Sequence, residues 1–68
     1  MNVTAVLTPA REGGYTAYNP ETGTVSEGET LEGALANLRE AVELFLEEFP
    51  LPAAGPAFVT TISIPEHA

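Results

Sequence analysis

The chain has 68 residues, which permits one domain, and a domain this small buries only about 60% of the surface its unfolded chain exposes. Cysteine is absent and His67 is the only imidazole, so disulfides and thiolate metal sites are excluded and a histidine-based metal cage is disfavoured. Ten acidic residues face two basic ones, Arg11 and Arg39, for a net charge of −8, which excludes the phosphate-neutralising patch of a nucleic-acid binder and repels an anionic membrane surface.

The N-terminal residues Met1-Asn2-Val3-Thr4 carry neither the basic region nor the apolar run of a signal peptide, and no stretch approaches the ~20 apolar residues of a membrane span. Together with the lack of cysteine, this gives the expectation of a soluble, cytoplasmic protein.

Residues Asn2 to Thr8 alternate and are rich in β-formers, which predicts a first strand. It presents Val3, Ala5 and Leu7 on one side and Thr4, Val6 and Thr8 on the other. Pro9 stops its ladder, and Arg11-Glu12-Gly13-Gly14 is a turn. Tyr15 to Asn19 is a second short strand. Asn19-Pro20-Glu21-Thr22-Gly23 is a further turn, because proline fixes φ while Asn and Gly tolerate the left-handed region. Thr24 to Glu27 is a third strand.

From Leu31 the period changes. Apolar residues at Leu31, Ala34, Leu35, Leu38, Ala41, Val42, Phe45, Leu46 and Phe49 follow the stripe of an amphipathic helix. Thr30 occupies the N-cap position, Glu32 in the first turn suits the helix dipole, and Pro50 ends the helix. Leu51 to Pro56 is a stiff proline-rich loop. Phe58, Thr60, Ile62 and Ile64 alternate as a fourth strand that Pro65 closes. The expected architecture is α+β, β-β-β-α-β: a four-stranded mixed sheet of order 3-2-1-4, closed by a right-handed crossover, with the helix on one face. The other face is left uncovered, either solvated or an interface. The whole chain, 1–68, is a single domain.

Catalytic chemistry finds little support in these residues. A nucleophile needs an imidazole in reach, and His67 lies beyond Pro65. Glu27, Glu29 and Glu32 cluster at the helix entrance. They read as solubilising groups matched to the helix dipole, or as an acidic contact patch for a basic partner; three glutamates on a turn do not specify a divalent-metal site. No cofactor is expected. Tyr15 and Tyr18, three apart on a strand, point to opposite sheet faces, so one belongs to the core and the other is available as an interface anchor.

Gly13-Gly14-Tyr15-Thr16-Ala17 followed by Pro20, then Ser26-Glu27-Gly28-Glu29-Thr30-Leu31-Glu32, Ala34 and Asn37-Leu38-Arg39-Glu40-Ala41, resemble the N-terminal domain of HicB-like antitoxins. The resemblance covers roughly residues 3 to 49. The family's usual acidic residue at position 33 is Gly33 here. The resemblance implies a degenerate ribonuclease-H-like fold and a partner, a small basic HicA-like toxin that cleaves mRNA. Ribonuclease H enzymes place a catalytic acid on the first strand, and Met1 to Thr8 contains none, so nuclease activity is not expected. The DNA-binding domain of full-length relatives has no counterpart in these residues, so operator binding is not carried over.

The resulting expectation is a non-enzymatic antitoxin-type module that masks a basic toxin through Glu27, Glu29 and Glu32, with Tyr15 or Tyr18 as anchor. The small core and the bare sheet face add the expectation of a homo-oligomer, most simply a dimer. The alternative is a stand-alone homo-oligomer of regulatory or ligand-binding role, whose acidity serves solubility alone.

Overall fold

A computed structural model describes residues 1–51 and 55–66. Three antiparallel strands, β1 (Val6–Pro9), β2 (Tyr15–Asn19) and β3 (Thr24–Gly28), form a meander, and one helix, α1 (Leu31–Glu48), follows. The sheet order is β1-β2-β3. The two expected turns hold it in register. Gly13, Gly14 and Gly23 all adopt positive φ, which glycine alone enters without a Cβ penalty.

The register sorts the side chains. Leu7 pairs with Ala17 and Ala17 with Ser26, while Val6 pairs with Tyr18 and Tyr18 with Val25. Directly opposed residues share a face, so Leu7, Ala17 and Ser26 face the helix and Val6, Tyr18 and Val25 face away. Ala17, Ala34, Leu38 and Val42 form the buried core, with Val3, Leu7, Tyr15 and Leu46 packed around it. The helix begins where its capping chemistry requires: Thr30 is extended and its hydroxyl accepts from Gly33 N at 2.9 Å. It ends at Phe49, whose N–H still donates to Phe45 O, just before Pro50.

The helix lies against β3 and β2 and leaves β1 aside. Small residues permit its close approach. A Cβ on Gly28 would stand 2.4 Å from Ala34 N and 2.7 Å from Gly33 C, a separation that real Cβ atoms do not tolerate. Asn37 adds a tie from the helix to the outer edge of β3, donating to Glu27 O at 2.7 Å.

The expected fourth strand is not found among the described residues. The fold is β-β-β-α rather than β-β-β-α-β, and the sheet is purely antiparallel with three strands rather than mixed with order 3-2-1-4. Phe58 to Ile64 has the period of a strand, but period alone names no pairing partner. Its entry, Ala57, is held by side chains, its N–H donating to Glu21 Oε2 at 2.6 Å. Beyond that point the chain runs exposed: Phe58 is 90%, Ile62 77% and Ile64 70% accessible. With no crossover strand in the sheet, the four-stranded ribonuclease-H-like description does not apply. The first strand is also shorter than expected, beginning at Val6 rather than Asn2. Pro52 and His67 lie outside the described residues.

Candidate functional site

The uncovered sheet face is built from two cross-strand rows. Val6, Tyr18 and Val25 form the first, and Thr8, Thr16 and Glu27 the second. Tyr18 is 41% and Val25 59% exposed while Val6 is half-buried, so the apolar row is open to solvent at Tyr18 and Val25. The two tyrosines separate as the strand period requires: Tyr15 packs against the core and Tyr18 stands on the open face.

Glu27 and Glu29 line one shallow depression at the end of this face, together with Glu12, Gly14, Tyr15 and Thr16. Gly14 shapes that corner. Its φ is +76°, and a Cβ there would meet Gly28 O at 2.6 Å. Glu32 is exposed in the first turn of α1 and does not line the depression. The structure therefore brings Glu27, Glu29 and Tyr15 to one depression, puts Tyr18 on the same sheet face as Glu27, and leaves Glu32 outside the depression. A carboxylate rim beside an apolar row can attract a cationic surface and desolvate part of it. Among the described residues, no group of three or more His, Cys, Asp or Glu could hold a metal ion.

A second polar constellation lies at the opposite end of β2, and the residue pattern did not announce it. Continuing the β1–β2 register would put Pro20 opposite Thr4, where proline has no N–H to donate. The Asn19 side chain fills that role: Nδ2 donates to Thr4 O at 2.7 Å and to Glu21 Oε1 at 2.7 Å. Its Oδ1 accepts from Thr22 N at 2.9 Å and Thr22 Oγ1 at 2.5 Å. Asn19 is fully buried, and these four bonds satisfy its amide.

Glu21 also accepts from Thr4 N at 2.7 Å and Thr4 Oγ1 at 2.6 Å. Thr4 Oγ1 is 3.2 Å from Ala57 O as well, but its single proton goes to the shorter contact with the carboxylate. The Thr4 hydroxyl, then the Thr4 N–H, hold the Glu21 carboxyl down to about 2 against the opposing effect of desolvation, with further help from Ala57 N–H and Asn19. The sequence signal was the turn Asn19-Pro20-Glu21, in which the glutamate looks solvated. Its donors come from residues 17 and 36 positions away.

Beyond β1 a groove of about 560 Å³ opens between the segment preceding the strand and the helix. Val3, Ala5, Leu35, Val42 and Leu46 give it an apolar lining, and Arg39 stands among them. It exists because α1 leans toward β3 and leaves its β1-facing flank uncovered.

No family model matches the chain, and no solved structure does. The UPF0150 protein ssr1765 of Synechocystis sp. (strain ATCC 27184 / PCC 6803 / Kazusa) is 43% identical over 47 residues, which make up 68% of this chain. The match spans about 60% of the length of that relative. No helix among the described residues is long and apolar enough to cross a membrane.

Proposed function

We propose that this chain is a binding module of the HicB-like antitoxin type, and that its uncovered sheet face masks a small basic HicA-like toxin. The observation that carries this reading is the row of half-buried Val6 and exposed Tyr18 and Val25 on the sheet face that also carries Glu27, with Glu29 next to Glu27 in one depression, on a chain of net charge −8. The similarity to a UPF0150 protein is consistent with a toxin–antitoxin-like module. A protein that handles RNA must be basic, and an inhibitor covers such a surface most effectively with negative charge around a desolvated anchor. Tyr18 is the anchor in this reading, because Tyr15 is already committed to the core. The role requires no catalysis from the chain and no cofactor.

The two kinds of contact separate kinetically. Rim carboxylates act mainly on the association rate, and their effect fades as salt screens them. A desolvated tyrosine acts on dissociation, worth about 2 kcal/mol or roughly 30-fold if it is a hot spot. Against a purified HicA-like toxin from the same genome, Glu27→Lys with Glu29→Lys should slow association and flatten its salt dependence. Tyr18→Ala should speed dissociation with little change in salt response. Association kinetics that ignore both glutamate substitutions would reduce these carboxylates to solubilising groups and remove the assigned face.

A second reading, a self-assembling protein with no toxin partner, is favoured by the exposed apolar residues after Ala57.

A further inference from the structure

Among the described residues, neither the stretch from Phe58 to Ile64 nor the groove beside the segment leading into β1 has a counterpart. The segment has no regular secondary structure and places Phe58, Ile62 and Ile64 in water. The groove has apolar walls and opens beside the segment that leads into β1, a strand that among the described residues pairs only with β2. The two features begin at one point, because Thr4 lines the groove and its hydroxyl binds the Glu21 carboxylate that also holds Ala57 N–H.

The dimensions point the same way. The chain measures 48 × 28 × 15 Å with a radius of gyration of 14.0 Å, where a compact chain of this length has about 11 Å. Its accessible surface is 5579 Å², where a folded monomer of 7.1 kDa exposes roughly 4,100 Å². The excess, roughly 1,500 Å², exceeds the ~800 Å² that each partner contributes to an interface of standard size.

We propose that two copies of this chain exchange arms: Phe58 to Ile64 of one copy docks its apolar side chains in the groove of the other, formed by Val3, Ala5, Leu35, Val42 and Leu46. A second copy is favoured over a foreign protein because donor and acceptor are both present in one sequence. A two-fold exchange satisfies both at once and closes the assembly. Each chain keeps its own three strands and helix; what is exchanged is an arm. The proposal uses the β1 side of the molecule and does not depend on the toxin-masking reading, which uses the opposite sheet face.

The full chain should have twice the mass of one 7.1 kDa chain by light scattering at high micromolar concentration. Ile62→Glu adds a charge to a side chain that is exposed within its own copy, so helix content should be unchanged. The charge would enter an apolar groove of the other copy, and the dimer dissociation constant should rise about 100-fold. The absence of cysteine makes Ser63→Cys a unique attachment point for a spin label. In a mixture with ¹⁵N-labelled, unmodified chain, the label should broaden the amides of Val3 to Leu7 and of Leu35 on the other copy. Three results would overturn the proposal: a monomeric mass, a dimer that Ile62→Glu leaves undiminished, or a dimer without intermolecular broadening at those amides.

Discussion

Along β3 the helix comes so near that Gly28 has no room for a methyl group, and Asn37 takes up a carbonyl on the strand's outer edge. On the β1 side the helix gives less cover: among the described residues the outer edge of β1 has no partner strand, the groove beside the segment leading into it is open, and the apolar residues that could fill it stand in solvent. One side is closed by helix packing, while the other is held by the β1–β2 ladder, by Leu7 and Val3 at the margin of the core, and by hydrogen bonds around Glu21. In a chain of 68 residues the difference shows where stability is concentrated. The buried apolar residues are Ala17 on β2 and Ala34, Leu38 and Val42 on the helix, and disturbing the packing of the helix on β2 and β3 should cost far more than disturbing the β1 side.

The sharpest way to break the closed side is Gly28→Ala. The added methyl would meet backbone atoms of Gly33 and Ala34, which cannot swing aside as a flexible side chain does. The helix must move off the sheet, so the loss should reach about 3 kcal/mol, the upper part of the usual overpacking range. For a domain of this size that lowers the melting temperature by more than roughly 12 °C, measurable by circular dichroism. A wild-type melting curve would show that the helix is not seated on β3 as described.

A smaller effect on the same side follows from the helix cap. Thr30→Ala removes the acceptor for Gly33 N and should cost about 1 kcal/mol, with Thr30→Ser retaining most of the stability. Equal losses for the two variants would mean that the hydroxyl does not cap the helix.

The closed side was also the legible side. The turn glycines, the strand Tyr15–Asn19, the Thr30 cap and the stripe through Ala34, Leu38 and Val42 are local patterns, and local patterns are what a sequence displays directly. The division of Tyr15 and Tyr18 between faces followed from strand alternation. The same stripe also named Leu31, Leu35 and Phe49, which are exposed, because the helix leans toward β3 and turns part of its apolar surface away from the sheet. Phe58 to Ile64 misled for a related reason: alternation reports a propensity to be extended, while pairing depends on what lies alongside. The Glu21 constellation was invisible because its donors, Thr4 and Ala57, are distant in sequence and ordinary in type. Of the candidate site, the sequence grouped Glu27, Glu29 and Glu32 at the helix entrance, and the placing of Glu32 outside the depression that holds the other two required the helix axis to be known.

Glu21 offers the mildest test, one that addresses the open side alone. Its carboxyl is lowered from 4.5 to about 2, first by the Thr4 hydroxyl and then by the Thr4 N–H. A carboxyl depressed on folding stabilises the native state at pH values above its unfolded pKa, and that contribution is lost as pH falls through the folded value. The window here runs from about 4.5 down to about 2. Because the group is solvent-accessible, screening keeps the effect small, so a difference measurement is needed. Glu21→Gln keeps the shape but turns an NH₂ toward a site that presents only donors from Thr4, Asn19 and Ala57. The melting temperature of Glu21→Gln should fall below that of wild type by a constant gap above about pH 5, and the gap should narrow steadily toward pH 2 as the wild-type carboxyl takes up its proton. A gap that stayed constant across this range would mean that the Glu21 charge does not hold the start of β1 and the entry of the C-terminal arm together.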